Sequence, residues 1–337
     1  GQQDDGIWDV RGPATVEFGP TRFVTRTLSP DSTLISDGHI VFSGNTVLVN
    51  AGTFDHTGPT TISGGGWASF NIPVVLTDLT QTLGTLAGSG SEVRITGTYE
   101  LAGGELRHGN VLSDGQLLIT AAGFGREPKF KAGSQLTNNG SAVWTGAAPL
   151  RMEGGKLINA DDFVIETDAS MSSTSESSIF HNAAGATITK KNTTGTQTLS
   201  VPFENEGLLS VESGTLVLSD PSPNFSSGPG TLERGAWRVS TADPLVDDAT
   251  LRFNGVTPIS VNRARVELDG PDASLQTNGG GNPELFSSLR TNDTDASLTI
   301  RNGYDLALST GNLSNAGQLT IGADSTLTVN GDYSQSA

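Results

Sequence analysis

Apolar and polar residues alternate along this chain in short runs that are separated by turns. Residues 203–219 show the pattern most clearly, because Leu209 and Val211 flank a serine and a second alternating run follows within the same stretch. Alternation with a period of two is typical of a half-buried β-strand. Asn205 and Gly207 stand just before the first run, and both residue types tolerate the left-handed backbone of a corner. Strands this short are not stable alone, so the unit is expected to stack on copies of itself.

Copies of this unit recur at a regular interval. The pattern apolar-x-Asn-x-x-x-apolar-x-apolar has five full matches, which start at positions 136, 157, 180, 203 and 313. The close starts are 21, 23 and 23 residues apart, and the last gap of 110 residues is five times 22. A fixed period of this size indicates a repeat architecture. It predicts an all-β fold, a right-handed parallel β-helix (a β-solenoid) with about 22 residues per coil. A leucine-rich repeat has a similar period, but it needs a helical segment in each repeat, and the sequence shows none.

The chain is predicted to contain four segments. Residues 1–30 are rich in aromatics and prolines and form either an N-terminal cap or an irregular first coil. Residues 31–219 form a first β-helix block. Residues 220–230 contain three prolines and form a loop or a break. Residues 231–337 form a second block, which returns to the regular unit and is expected to continue beyond the end of the chain.

Composition supports a thin, turn-rich solenoid. The chain of 337 residues has 43 glycines, 34% hydrophobic residues and 6% aromatic residues. Its net charge of −17 argues against nucleic acid and anionic membrane surfaces as partners. The basic segment 123–131, with Arg126, Lys129 and Lys131, is an exception and predicts a loop extruded from a coil. The absence of cysteine favours a secreted bacterial protein weakly, and no apolar run is long enough to predict a membrane span.

Two segments resemble the repeats of a known class of proteins. They are NEGLLSVESGTLVLS (residues 205–219) and LSNAGQLTIGADSTLTVNGDYSQ (residues 313–335). They resemble repeats of large secreted bacterial surface proteins, in particular the right-handed β-helical passengers of autotransporter adhesins. The resemblance is strongest for residues 132–219 and 296–337. It implies an exported, extracellular protein at the cell surface and carries over no catalytic residue, because such scaffolds serve as adhesins, stalks, coats and sometimes enzymes.

The recurring asparagine is the most informative single residue of the unit. If the coils stack in register, each amide lies about 4.7–4.8 Å from the next one along the stack and bonds to it. The sequence therefore predicts a structural ladder, although asparagine also suits a left-handed turn without any ladder. The predicted members are Asn138, Asn159, Asn182, Asn205 and Asn315.

Calcium is the only metal ion that the sequence suggests, and no other cofactor is expected. Asn292, Asp293 and Asp295 lie together in a predicted turn, and oxygen ligands of these types are those that calcium takes. The chain has neither an EF-hand loop nor the glycine-rich nonapeptide repeat that binds calcium in other β-helices. The alternative is a solvated acidic turn that keeps the protein soluble.

A polysaccharide-cleaving β-helix would hold carboxylates or cations in a groove across successive coils. Glu166 is predicted to lie one coil below Lys190 and Lys191. A carboxylate with cations on the neighbouring coil is the kind of set that this chemistry needs. No convergence of these groups follows from the sequence, and the four tryptophans are scattered. The chain is therefore not expected to be an enzyme.

These observations favour a non-enzymatic extracellular structural or adhesive protein. Such a solenoid is expected to act as a rigid rod and to join end to end into a filament or surface layer, because an open coil end can template another strand. The expected partners are other copies, other surface proteins or cell-surface glycans. The alternatives are a carbohydrate-active enzyme (a polysaccharide lyase or glycoside hydrolase) and a glycan-binding module.

Overall fold

The fold is a parallel β-solenoid. The computed structural model of the chain describes residues 2–19, 25–220, 224–226, 230–241, 248–278, 283–309 and 311–336. These residues form about 15 turns of short strands, with no α-helix, and paired strands lie about 21 residues apart in the sequence. The predicted fold class is therefore confirmed, while the right-handed sense of the coil stays a prediction.

The chain divides into two compact units. The first comprises Gly1–Phe163 and Met171–Ile179, and the second comprises Val164–Ser170 and Phe180–Ala337. The predicted break at residues 220–230 thus lies inside the second unit. Asn224 in this segment is fully buried, and its side-chain Nδ2 donates a hydrogen bond to the carbonyl of Asn205 at 2.7 Å. The described part of the segment therefore packs as part of a coil, while residues 221–223 and 227–229 lie outside the described residues.

The first unit is built from coils of three strands each. First strands of successive coils pair in parallel with one another, and the same holds for the third strands and, in two runs, for the second strands. In chain order the strands are β1 (Gln2–Asp4), β2 (Ile7–Val10), β3 (Thr15–Phe18), β4 (Arg26–Leu28), β5 (Thr33–Ser36), β6 (His39–Phe42), β7 (Thr46–Val49), β8 (Thr53–His56), β9 (Pro59–Ile62), β10 (Trp67–Phe70), β11 (Val74–Leu76), β12 (Asp78–Gln81), β13 (Thr85–Ala87), β14 (Glu92–Ile95), β15 (Thr98–Leu101), β16 (Glu105–Arg107), β17 (Gly109–Ser113), β18 (Gln116–Ile119), β19 (Lys129–Lys131), β20 (Ser134–Asn138), β21 (Ser141–Trp144), β22 (Leu150–Glu153), β23 (Lys156–Asn159), β24 (Asp162–Ile165), β25 (Met171–Ser173) and β26 (Ile179–Asn182). Both β24 and β26 also contribute residues to the second unit.

The second unit repeats this plan with longer turns. The strand β28 spans ten residues and serves as two strands, because Thr196–Leu199 pairs with β30 and Phe203–Asn205 pairs with β26. The pairing of β31 with β32 is antiparallel. The strands are β27 (Thr187–Lys190), β28 (Thr196–Asn205), β29 (Leu208–Val211), β30 (Gly214–Asp220), β31 (Phe225–Ser226), β32 (Thr231–Leu232), β33 (Ala236–Ser240), β34 (Ala249–Phe253), β35 (Val261–Asn262), β36 (Arg265–Asp269), β37 (Ala273–Thr277), β38 (Thr291–Asn292), β39 (Ser297–Arg301), β40 (Asp305–Leu308), β41 (Leu313–Asn315), β42 (Gln318–Ile321), β43 (Thr326–Val329) and β44 (Tyr333–Gln335).

The period-two alternation explains where the core lies. In β18 and β21 the register pairs Leu117 with Ala142 and Ile119 with Trp144, and all four side chains are buried. Each apolar side chain thus packs on its counterpart one coil away. Burial at roughly 25 cal/mol per Å² of apolar surface is the main term that stabilises such a stack.

The first strands of the chain form a coil. The strands β1, β2 and β3 pair in parallel with β4, β5 and β6. Phe18 stacks on Phe42 of the next coil at 5.3 Å between ring centroids. The described residues of segment 1–30 thus contain strands that pair with the next coil, while residues 1 and 20–24 lie outside the described residues. The choice between an N-terminal cap and an irregular first coil stays a prediction.

Candidate functional site

The asparagines of the repeat are each the last residue of a strand, just before a corner, and their side chains are buried. In the first unit, Nδ2 of Asn138 donates to Oδ1 of Asn159 at 2.9 Å and to the carbonyl of Asp162 at 2.9 Å. In the second unit, Nδ2 of Asn182 donates to Oδ1 of Asn205 at 2.8 Å. Each amide therefore joins one coil to the next, which is a structural role.

Two further asparagines of the second unit form a ladder of the same kind with Asn315. Nδ2 of Asn262 donates to Oδ1 of Asn292 at 2.8 Å, and Nδ2 of Asn292 donates to Oδ1 of Asn315 at 2.7 Å. The sequence pattern missed both because it requires an apolar residue two positions earlier, where the chain has Ser260 and Arg290. The asparagine itself, at the end of a short strand, was the usable signal.

The three candidate calcium ligands differ in burial and in hydrogen-bond partners. Asn292 is buried in the ladder, and only 1% of it is exposed. A carboxylate oxygen of Asp293 accepts from Nε of Arg263 at 3.0 Å, and the backbone N–H of Thr294 together with Arg263 lowers the pKa of Asp293. Asp295 is exposed. Asn292 is thus committed to the ladder, and calcium at this turn stays a prediction that depends on the two aspartates. Among the described residues, no group of three or more histidine, aspartate and glutamate side chains is placed to hold a metal ion.

Glu166 and Lys190 form hydrogen bonds to residues in the turns of the solenoid. Nζ of Lys190 is fully buried and donates to Oδ1 of Asp168 at 3.0 Å and to Oγ1 of Thr193 at 2.6 Å. Burial lowers the pKa of Lys190, and Asp168 opposes that shift. Glu166 accepts from Nδ2 of Asn192 at 2.6 Å. These contacts stabilise turns and do not bring Glu166 to Lys190.

A groove of about 330 Å³ lies on the first unit where each coil enters its first strand. It is here called the basic groove because Glu127 and Lys129 of the basic segment 123–131 line it, although its charged lining residues are two carboxylates and one lysine. Four of its lining residues are glycines, and two of these leave no room for a side chain. A Cβ on Gly84 would lie 2.3 Å from the carbonyl oxygen of Gly66, and one on Gly104 would lie 2.6 Å from that of Gly84. The lining residues are Gly65, Leu83, Gly84, Thr85, Gly104, Glu105, Gly125, Glu127 and Lys129.

Glu105 is a lining residue of the basic groove whose carboxylate lies close to three cationic side chains. Its carboxylate lies 2.7 Å from Nη2 of Arg107, 3.7 Å from Nζ of Lys129 and 3.6 Å from Nζ of Lys131. Partial burial raises the pKa of Glu105, but the three cations more than offset this effect and lower the pKa overall. Glu105 is therefore an ionised acceptor.

Glu127 is the second carboxylate of the basic groove, and its side chain is 8% exposed. Its own backbone N–H and Arg151, whose Nη2 lies 3.6 Å from Oε1, lower the pKa of Glu127. Two ionised carboxylates that line one groove can accept hydrogen bonds from hydroxyl groups. Neither is poised to donate a proton at neutral pH.

A fully exposed aromatic residue, Phe124, directly precedes a lining residue of the basic groove in the chain. Phe124 is 100% exposed, and it lies between Gly123 and Gly125, whose φ angles are +92° and +83°. Gly125 itself lines the groove. The basic segment 123–131 is thus a loop up to Pro128 and continues as β19. Sequence analysis identified its charge and loop character, but not the groove, because the corner glycines that line it are distant in sequence.

A second groove, of about 460 Å³, lies on the second unit beside the asparagine ladder. Its charged side chains are mostly paired, since Arg234 lies 3.0 Å from Glu206 and Arg263 lies 3.1 Å from Glu233. The lining residues are Gly185, Ala186, Thr187, Glu206, Gly207, Leu208, Glu233, Arg234, Gly235, Ala236, Arg263, Ala264, Arg265 and Asp295. This groove has no aromatic side chain in its lining.

One buried acid titrates near neutrality. Oε2 of Glu284 accepts a hydrogen bond from the hydroxyl of Tyr304 at 2.9 Å, while Oε1 is covered and has no partner among the described residues. Burial raises the pKa of Glu284 to about 7, although Tyr304 opposes the shift. The residue as a whole retains some exposure, so the ionised form is only partly desolvated. Glu284 is therefore largely protonated below neutral pH.

The raised pKa of Glu284 predicts a pH-dependent stability. A folded-state pKa above the ordinary glutamate value of 4.5 means that the folded protein binds more protons than the unfolded chain between about pH 4.5 and 7. The contribution of Glu284 to the free energy of unfolding is then fully present below pH 4.5 and is lost as the pH rises through about 7. We expect Glu284→Gln to be more stable than the parent at pH 8 by about 2 kcal/mol, and the gain to vanish near pH 5. Urea titrations at both pH values measure this, and an equal gain at both would contradict it.

Comparison with known proteins found no matching family model, no matching curated protein and no matching solved structure. Within the described residues, no helix is long and apolar enough to cross a membrane.

Proposed function

We propose that this protein is a non-enzymatic, extracellular structural or adhesive protein, whose solenoid carries binding surfaces. The observation that supports this best is that its exposed acidic and basic side chains pair with one another. Acidic and basic side chains of neighbouring coils form ion pairs across the strand spacing. Examples are Arg94 with Asp114, Lys131 with Glu153, Arg234 with Glu204, Arg263 with Glu233, and Arg301 with Asp269.

These ion pairs favour a scaffold over a catalyst. A single exposed pair contributes only about 0–1 kcal/mol, but networks that run from coil to coil resist the separation of neighbouring coils. Glu267 and Asp269 illustrate this, because Arg301 lies 2.5 Å from Glu267 and 3.0 Å from Asp269. Carboxylates engaged in this way stabilise the surface of the solenoid. Contact with other copies, with other surface proteins or with cell-surface glycans belongs to the same proposal.

A glycan-binding module is the second candidate. Phe124 supports it, since its fully exposed ring offers an apolar surface on which the C–H face of a sugar can pack. The bacterial, exported origin that the repeats imply is part of the proposal and rests on the resemblance alone.

The enzyme alternative gives a direct test of the proposal. The full chain is incubated with a panel of neutral and acidic polysaccharides, and new reducing ends and unsaturated sugars are measured beside binding. We expect no turnover with any polymer. Turnover that Glu105→Gln or Glu127→Gln abolishes would overturn the proposal and establish a carbohydrate-active enzyme.

A further inference from the structure

We propose that residues 283–289, here called the wedge segment, are a pH-sensitive device that opens locally when the carboxyl of Glu284 ionises. This regulation goes beyond the proposed function, because it concerns how one coil of the second unit is held closed. The buried side chains of the segment, its hydrogen bonds to neighbouring coils and the position of Glu284 support it.

The wedge segment is an irregular stretch that follows β37, precedes β38 and lies in the core. Residues 285–288 form turns rather than a strand. Leu285, Phe286 and Leu289 nevertheless have no exposed surface. Burial of three large apolar side chains favours the closed position, and opening exposes them to water.

Backbone hydrogen bonds connect the wedge segment to three successive coils. The N–H of Leu285 donates to the carbonyl of Leu275 in β37 at 2.8 Å. The N–H of Ile259, before β35, donates to the carbonyl of Leu285 at 2.9 Å. The N–H of Ser309, after β40, donates to the carbonyl of Ser287 at 2.7 Å. Opening of the segment breaks these bonds, so the exchange of the three amide protons reports it.

Glu284 links the wedge segment to the strand before it and to the coil after it. It forms an antiparallel bridge with Gln276 of β37, and its Oε2 accepts a hydrogen bond from the hydroxyl of Tyr304 at 2.9 Å. Tyr304, the titratable side chain in contact with it, lies just before β40 and is 5% exposed. The other carboxyl oxygen, Oε1, is enclosed and has no hydrogen-bond partner in the described part of the chain. An ionised carboxylate with one enclosed, unpartnered oxygen is costly in a protein interior.

Charged groups on the elements packed against Glu284 do not compensate its carboxyl. Arg301 is paired with two carboxylates of β36, and Arg252 donates to a glutamine side chain of β37. Asp305 is exposed and carries the same charge as an ionised glutamate. No ion pair among the described residues includes Glu284, whereas the buried Asp269 contacts two arginines.

Ionisation of Glu284 and opening of the wedge segment are therefore coupled. In the closed position burial raises the pKa of Glu284 to about 7, whereas in an open, hydrated segment the carboxyl regains its ordinary value of 4.5. Opening then releases a proton between these two pH values, so a rise in pH favours it. The contribution of Glu284 to closure is fully present below pH 4.5 and is lost as the pH rises through about 7.

Hydrogen exchange of the full chain, corrected for the intrinsic exchange rate at each pH, tests this proposal. The opening constants at the Leu285, Ile259 and Ser309 amides are expected to rise about tenfold between pH 6 and 8. The amide of Gln116, which bonds between coils of the first unit, is expected to show no such rise. A flat profile at the three amides, or an equal rise at Gln116, would overturn the proposal.

Variants assign the effect to the carboxyl. Glu284→Gln keeps the size of the side chain and removes its titration, so the opening constants are expected to be equal at pH 6 and 8. The control Asp295→Asn removes an exposed carboxylate of the same unit and is expected to retain the tenfold rise. The proposal is wrong if Glu284→Gln retains the rise or if Asp295→Asn abolishes it.

Tyr304→Phe separates a change in titration from a loss of packing. It keeps the ring and removes the hydroxyl that stabilises the ionised form of Glu284, so the opening curve is expected to shift to higher pH. Loss of a purely structural contact would instead raise the opening constants equally at every pH, and that result would contradict the proposal.

Discussion

Asn292→Ala is expected to lower the free energy of unfolding by about 4 kcal/mol. The wild-type amide donates to Oδ1 of Asn315 at 2.7 Å and to the carbonyl of Gln318 at 3.1 Å, and it accepts from Asn262 at 2.8 Å. Alanine leaves these buried groups without their partner, and each unsatisfied buried group costs about 1–3 kcal/mol. Urea titration monitored by circular dichroism measures the loss, and hydrogen exchange at β38 and β41 locates it.

The control for this variant is Asn110→Ala. Asn110 is also an asparagine within a strand, β17, but its side chain is exposed. Replacement there is expected to change the free energy of unfolding by less than about 0.5 kcal/mol. A loss in Asn292→Ala no larger than in the control would show that the ladder contributes little to stability. An added Asn292→Asp variant removes both donors while it keeps the size of the side chain, so it should be destabilised as well.

Gly115→Ala is expected to destabilise the first unit by about 3 kcal/mol or to prevent its folding. A Cβ at this position would lie 2.1 Å from the carbonyl oxygen of Gly97 and 2.6 Å from that of Thr96. The Gly97 carbonyl also accepts the hydrogen bond of the Gln116 N–H at 2.9 Å, so it cannot move away without breaking the ladder between coils. Thermal unfolding measures the effect as a fall in Tm.

Gly65→Ala is the matched comparison for the glycine substitution. It is also a glycine at a corner of the first unit, but a Cβ there would meet nothing within 4 Å. Alanine reduces the entropy of the unfolded chain, so this variant is expected to be neutral or slightly stabilised, by up to about 1 kcal/mol. Equal stability of the two variants would mean that the corner at Gly115 relaxes, and that close stacking does not require glycine there.

The basic groove and the asparagine ladder differ in how much of each the sequence reveals. Each ladder member is the last residue of a short strand, so a local pattern identifies most of them. Asn262 and Asn292 escaped that pattern because polar residues replace the apolar one two positions earlier. The groove, in contrast, combines Gly65, Gly84 and Glu127, which belong to different coils. No local pattern connects them, because the coil lengths that bring them together vary.

The sequence by itself determined the fold class. Period-two alternation and a recurrence near 22 residues leave a stacked parallel sheet as the arrangement that buries the apolar side chains, and this holds whatever the turns contain. Only the tertiary structure showed which turns between strands are short and which are long. The partner of Thr98 is Gln116, and the partner of Gln116 is Ser141, so neighbouring coils differ by several residues. These differences set which charges meet across coils, and they follow from packing between residues far apart in the chain.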